Sequence, residues 1–448
     1  MAVTKDSKSA GIRQTYWYFG WLTLLIYLAS PNNYLVDIST AYMLKNQLHA
    51  SPQEVSVFRV LTAIPLYLSF MFGFARDLWN PFGLRDRGFF LIFAPITALA
   101  FLWMAFTPLS YQSLFIGVLL MMFAFRFVAA AYQALLALVG QERLMSGRLS
   151  ALWQVVSSIP VLAGAFGSGW VTEHLQPSQT FLLFAGLALA LGLLGFWKPR
   201  AVFTNTYDRP QARGSTLVGD LKRLARHKAI YAPVLLIFLF QFAPGSNTPL
   251  QYYLTDHLHA SDAIYSDFQA IFVGSFIPVF LLYGWLCKRV SLGKLLFWGT
   301  VITIPQMIPL ALINSATSAL ILAAPIGAMG GIFAAAIFDL AMRSCPPGLQ
   351  GTLMMLVESG NLLSTRGGDL LGSVIYSSSP TNGFTYCVIA ITVVYALMLP
   401  VLLLIPKEIL ETADGQSSVL VELEVLDEIA RSELETSGSD AVLVIEQA

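Results

Sequence analysis

Twelve long apolar stretches run through this 448-residue chain, and the basic residues between them fall on alternate connections. Hydrophobic residues make up 56 % of the composition and charged residues 12 %. That leaves too few polar groups to solubilise a fold of this length in water. A helix needs about 20 mostly apolar residues to cross the hydrocarbon core of a bilayer. Segments of that order occupy 17–46, 55–76, 88–107, 112–141, 148–171, 179–197, 230–255, 264–286, 291–313, 316–342, 349–377 and 382–405. The predicted fold class is therefore an all-α polytopic membrane protein with twelve transmembrane helices, and its first partner is the lipid bilayer. Several stretches exceed the hydrocarbon thickness, which predicts tilt or extension past the headgroups.

The formal net charge of zero conceals a strong asymmetry. One set of connections carries Lys5, Lys8, Arg13, Arg76, Arg85, Arg87, Arg143, Arg148, Lys288, Arg289, Lys294, Arg343 and Lys407, together with the long basic connection 198–229. The opposite set has Lys45, Arg59 at the start of the second stretch, and otherwise acids and histidines. Because basic residues are retained on the cytoplasmic side, both termini and the 198–229 connection are predicted to be cytoplasmic, in a cell (inner) membrane. The first stretch is too long for a cleavable signal peptide. Cys287, Cys345 and Cys387 are too few for a disulfide framework or a metal cluster, and read as small apolar residues. His49, His174, His257 and His259 read as exposed loop residues rather than ligands. No cofactor, no metal and no nucleic-acid partner is expected.

The chain repeats itself. Tyr42-Met-Leu-Lys-Asn-Gln-Leu-His-Ala-Ser51 recurs as Tyr252-Tyr-Leu-Thr-Asp-His-Leu-His-Ala-Ser261, 210 residues later. At the same offset Phe58 falls on Phe268, and Pro31-Asn32-Asn33 faces Pro244-Gly245-Ser246-Asn247 with a small gap. Shared helix-and-turn composition is the alternative to duplication. Duplication predicts an N-terminal segment 1–16, a six-helix bundle 17–197, the connection 198–229, a second bundle 230–405 in parallel orientation, and an acidic tail 406–448.

Gly73-Phe-Ala-Arg-Asp77, followed by Gly83-Leu-Arg85-Asp-Arg87, resembles the signature of major facilitator transporters between the second and third helices. The run through Leu-Trp-Asn-Pro81-Phe-Gly83, with Pro346-Pro-Gly348-Leu-Gln-Gly351-Thr leading to Asn361 and Leu292-Gly-Lys294-Leu-Leu-Phe-Trp298, is most similar to the folate–biopterin transporter branch. The branch often has acids in the fourth helix where this chain has Gln133 and Ala137, and a lysine where Ser69 stands. The resemblance implies two six-helix parallel repeats, a site between them near the midplane, no enzymatic activity, and a gate built on Gly73, Asp77, Arg85 and Arg87. In that gate Arg143 and Arg148 could exchange partners with Asp77.

Polar residues inside the apolar stretches need a reason. A charge at mid-bilayer costs about 2.5–3.5 kcal/mol, which roughly eight strongly apolar neighbours offset in the case of Arg126. Its guanidinium must still face protein or water, with Gln133 two turns on along the same face. Arg126 reads either as a partner for an anionic solute or coupling carboxylate, or as half of a structural ion pair. In the eleventh stretch Glu358, Asn361, Thr365, Asp369 and Gly372 form one stripe. Arg366 can pair with Asp369 along the helix, which leaves Glu358 without a local cation. It reads as a proton carrier or as the partner of a cation on another helix.

The first and seventh stretches are both proline-broken and polar. The first carries Asp37 near Asn32 and Asn33, and the seventh carries Gln241, Asn247 and Tyr252. Interrupted helices at corresponding places in two halves are a pointer to a solute site; the alternative is that the prolines merely bend the helices. The candidate solute-binding set is thus Asn32, Asn33, Arg126, Gln133, Gln154, Gln241, Asn247, Tyr252 and Asn361. The candidate proton-coupling set is Asp37, Glu358 and Asp369.

The chain lacks metal-binding, nucleophile-elbow and nucleotide-loop motifs, so neither an enzyme nor an ATP-driven pump is expected. The expected function is secondary active transport of a small polar organic solute, folate/pterin-like or another organic anion, by alternating access with a proton as coupling ion, by a monomer. A non-transporting assembly or scaffold protein on the same fold is the alternative. Residues 408–448 hold eleven acids against a single Arg431 and read as a mobile or weakly docked tail.

Overall fold

The computed structural model of the chain describes residues 5–31, 34–203, 226–379 and 381–416. Among these, twelve helical passages follow one another and no strand occurs. The first runs Lys5–Ala29 and resumes as Tyr34–Tyr42; the second is divided into Pro52–Thr62, Ile64–Tyr67 and Ser69–Leu78. The third to sixth are Asp86–Phe106, Tyr111–Glu142, Ser146–His174 and Pro177–Leu194. The seventh is broken between Tyr231–Gln241 and Thr248–Tyr252, and the eighth is Asp262–Leu286. Leu292–Thr303, Ala316–Arg343, Gln350–Ser377 and Gly383–Ala396 begin the ninth to twelfth. Seven of these passages are long and apolar enough to cross a membrane unaided. The other five are interrupted or more polar, which is where a fold buries polar side chains between helices rather than against lipid.

Three of the spans that enter from one face share a start signal. Ser51 with Glu54, Ser110 with Ser113, and Ser315 with Ser318 form reciprocal caps on the second, fourth and tenth spans. Each satisfies amide groups that a helix start leaves unpaired.

The repeat seen in the sequence extends to the backbone. Met43–Gln47 and Tyr253–His257 are both single π-helical turns, 210 residues apart. Leu48 donates to the Met43 carbonyl and Leu258 to the Tyr253 carbonyl, both at 3.1 Å. Ala50 donates to Leu44 and Ala260 to Leu254, both at 2.9 Å. His49 and His259 each take φ of 52°, a left-handed conformation costly for a side-chain-bearing residue. Phe58 and Phe268 are both buried. Two segments of related sequence thus solve the same turn in the same way, as a duplicated bundle requires.

The halves meet chiefly where the second span packs on the eleventh and the fifth on the eighth, two contacts that the repeat relates to each other. Hydrogen bonds joining the halves among the described residues gather at the face that carries Arg76, Arg148 and Arg343, hereafter the basic face. They include Gln141 to the Cys345 carbonyl at 2.8 Å, Gln350 to Gln141 at 3.3 Å and Ser150 to the Ala335 carbonyl at 2.8 Å.

Candidate functional site

A cavity of about 490 Å³ lies between the halves, within the size range of small-molecule sites. Tyr27, Trp153, Gln154 and Ser157 line it from the first half. Phe240, Gln241, Asn247, Phe268, Phe272, Gln306, Phe338, Glu358, Asn361 and Tyr395 line it from the second. Its walls are largely aromatic. The Trp153 indole N–H donates to the Tyr27 hydroxyl at 2.8 Å, and its ring meets Phe338 edge-on at 4.5 Å. The proline break of the seventh span exposes Gln241, Ser246 and Asn247 to this space. Serine and glycines of the eleventh span make the break possible: Ser364 Oγ donates to the Phe238 carbonyl. A Cβ on Gly368 would stand 2.9 Å from the Ala243 nitrogen.

Arg126 is buried in the fourth span, and Glu358 reaches the cavity from the eleventh. The two charges are close enough to act on each other, and the Gln133 amide lies beside the Glu358 carboxylate. No direct ion pair forms between them, however, and Arg126 Nε has no hydrogen-bond partner among the described residues. The arrangement is a cation and an anion from opposite halves, facing without closing. The amide at position 133, where the resembling branch often has an acid, thus abuts a carboxylate supplied from the other half. Gln306 adds a buried carbonyl oxygen, Oε1, that also lacks a partner among the described residues. An acceptor left open beside a cavity costs about 1–3 kcal/mol unless a bound group or water donates to it.

At the basic face Asp77 is buried and accepts the backbone amides of Gly351 at 3.0 Å and Thr352 at 2.7 Å, with the Thr352 hydroxyl at 2.6 Å. These amides open the eleventh span, so the carboxylate sits on unpaired donors at the positive end of a helix dipole. Arg76 donates to Asp77 at 2.8 Å and holds Asp86 through two bonds of 2.5 and 2.6 Å. Gly73 lies one turn earlier, where a Cβ would collide with the Gly351 carbonyl.

Residues 21–365 match the sequence profile of the Major Facilitator Superfamily. The chain belongs to this superfamily. Its relatives include folate transporter 2 of Plasmodium falciparum (isolate 3D7), 22 % identical over 358 residues that cover 76 % of this chain and 77 % of that protein. The folate–biopterin transporter of Synechocystis sp. (strain ATCC 27184 / PCC 6803 / Kazusa) is 23 % identical over 367 residues, 78 % of this chain and 73 % of that protein. Among solved folds, the proton:xylose symporter XylE superposes with a TM-score of 0.69 at 15 % identity, covering 92 % of this chain and 98 % of that one. FucP in its outward conformation gives 0.63 at 16 % identity, covering 87 % and 97 %. The protein is therefore a major facilitator transporter rather than an enzyme.

Within this major facilitator fold the sequence-predicted residues divide. Gln154, Gln241, Asn247, Glu358 and Asn361 line the cavity, with Arg126 and Gln133 against Glu358. Tyr252 does not line it; it is 52 % exposed. Asn32 and Asn33 lie outside the described residues. Asp369 is not bonded to Arg366: its carboxylate accepts the Thr248 amide at 2.9 Å and hydroxyl at 2.8 Å, capping the resumed half of the seventh span. Asp37 is not a lone carboxylate either. It pairs with Arg59 of the second span at 3.1 Å, both well exposed, outside the cavity. Arg87 does not reach Asp77; it donates to the carbonyls of Gly195 at 2.9 Å and Phe196 at 3.4 Å, tying the third span to the end of the sixth. The Arg85 amide bonds Asn80 Oδ1 at 2.7 Å within its own loop.

The pairing of Asp77 with Arg148 does not form, because Arg148 is held by Asp414. The tail is also not wholly loose: Asp414 is buried. Asp339 and Arg343 pair within the tenth span, and the pair also takes Tyr283, Ser146 and Thr412. Sequence reasoning passed over Tyr27, Trp153 and Gln306. Gln306, an amide next to Pro305 in an otherwise apolar stretch, carried the same signal as Arg126; the aromatic walls carried none, since such residues are equally at home facing lipid.

Proposed function

We propose that the protein moves a small, flat, polar organic solute of the pterin or folate kind across a membrane by alternating access, driven by a proton gradient. The observation that carries this reading is the cavity that Glu358 lines, with Arg126 of the opposite half buried near it and forming no ion pair with it. Flat heteroaromatic rings stack on aromatic walls, and a carboxylate beside amides reads the donor edge of an amino-substituted ring. The names of the folate and folate–biopterin transporting relatives agree with that solute class.

Coupling follows from the same pair. A carboxylate that must be neutral while the cavity is closed, and charged when it meets water, ties proton movement to the conformational change. The membrane potential supplies about 2.3 kcal/mol per charge per 100 mV. Glu358 is our proton carrier and Arg126 the cation whose attraction a bound anion or a proton on Glu358 releases. We assign the basic face to the cytoplasm on the distribution of Lys and Arg, with Asp77 holding that side shut.

In proteoliposomes, an imposed pH gradient should drive accumulation of a folate or pterin probe. Glu358→Gln should abolish that accumulation while solute exchange continues. Accumulation unchanged in Glu358→Gln would remove the proton from the mechanism. A cysteine introduced at Thr216 should resist impermeant reagents in intact cells, and labelling from outside would reverse the orientation.

A further inference from the structure

The repeat that relates the two halves breaks at one consequential position. Offset by 210 residues, Asp77 falls on Cys287, so the second half lacks the acid that closes the first. The start of the fifth span is nevertheless closed in the same manner as the start of the eleventh. Gly351, the second residue of the eleventh span, donates its amide to Asp77 Oδ1 at 3.0 Å. Gly147, the second residue of the fifth, donates its amide to Asp414 Oδ1, also at 3.0 Å. Arg76 donates to the first carboxylate and Arg148, at 2.5 Å, to the second.

Asp414 reaches this place because the chain after the twelfth span returns to the bundle. The Asp414 amide donates to the carbonyl of Cys287 itself at 2.9 Å, so the acid hangs from the position where the repeat calls for one. Leu292 donates to the Thr412 carbonyl at 3.3 Å, and Arg343 to the same carbonyl at 2.9 Å. The short helix Lys407–Leu410 lies so close to the ninth span that a Cβ on Gly293 would stand 3.0 Å from Leu410 Cβ. Gly415 ends the segment at φ of 99°, a conformation suited to glycine.

We propose that residues 407–416 are a latch of the transport cycle: Asp414 supplies to the fifth span the carboxylate that Asp77 supplies to the eleventh, so the basic face opens only when the tail lets go. The latch ties the first half, through Gly147 and Arg148, to the second, through Cys287, Leu292 and Arg343. Transport turnover is thereby subject to anything that captures the acidic tail. The inference rests on the alternating-access reading above.

Cys287 is a native reporter of the latch. It is buried beside Asp414, and burial together with Asp414 and Asp339 pushes its thiol up to about 12, so it should alkylate slowly while the tail is docked. The full-length protein in nanodiscs, treated with a small maleimide and mapped by peptide mass spectrometry, gives the rate at Cys287 directly. Asp414→Asn removes the charge, and Gly415→Val strains the turn that presents it while keeping the charge. Each should raise the Cys287 rate roughly tenfold or more, the scale of a lost charge-assisted hydrogen bond. Glu411→Gln, on an exposed neighbour, should leave it unchanged. Unchanged protection of Cys287 in whichever of the two variants folds, or rapid labelling of the wild type, overturns the latch. Flux through Asp77→Asn, which leaves the tail untouched, tests the alternating-access reading separately.

Discussion

The Asp77 carboxylate accepts the backbone amides of Gly351 and Thr352 at 3.0 and 2.7 Å, so the last turn of the second span caps the first turn of the eleventh. The contact crosses from one half of the molecule to the other. It is built from one charge, a helix terminus and a hydroxyl rather than from two charges, and it can therefore be lost when the halves separate without leaving a second charge unpaired.

Asp77→Asn preserves the shape of this contact and removes its charge. It should weaken the closed state of the basic face by about 1–2 kcal/mol and lower flux several-fold, with membrane insertion unchanged. Flux measured at matched expression decides the point; wild-type flux would leave Asp77 without a role in gating.

Gly73→Ala tests the same crossing through sterics. The added Cβ meets the Gly351 carbonyl oxygen, and overpacking of this kind costs about 1–3 kcal/mol. The melting temperature of the purified protein should fall, and the Asp77 bonds should lengthen. A melting temperature equal to wild type would mean that the second and eleventh spans yield easily at this point.

Arg126 and Glu358 should be coupled. Arg126→Ala should weaken binding of the solute, and a double-mutant cycle with Glu358→Gln should give an interaction energy of about 0.5–3 kcal/mol. Binding measured by thermal shift or calorimetry supplies the four corners. Effects that simply add would show that the two charges do not sense one another, and the coupling role of Glu358 would go with them.

Two other acids of the chain should behave as structural groups. Asp37 and Arg59 form an exposed pair, worth about 0–1 kcal/mol, so Asp37→Asn should leave gradient-driven uptake close to wild type. Asp369→Ala removes the cap from the seventh span and should cost about 0.5–2 kcal/mol of stability, read as a lower melting temperature with proton dependence intact. Loss of the pH response in either variant would return that residue to the coupling machinery.

The sequence by itself determined the twelve spans, the duplication and the signature loop, because these are local facts. A span is read from a run of apolar residues, the repeat from Tyr42–Ser51 against Tyr252–Ser261, and the loop from Gly73, Asp77 and the arginines that follow. Periodicity also showed that Glu358 and Asn361 share a face, and polarity singled out Arg126.

Partnership was decided only by the tertiary structure. Asp369 has Arg366 three residues away in the chain, yet Thr248 takes its carboxylate, because the unpaired amide and hydroxyl of a resumed helix stand closer than a side chain turned outward. Asp37 finds Arg59 22 residues on, and Arg148 finds Asp414 266 residues on. Nothing in a linear spacing encodes such pairs. They arise where independently formed helices cross, and there a buried charge settles on whichever donor the packing leaves within reach.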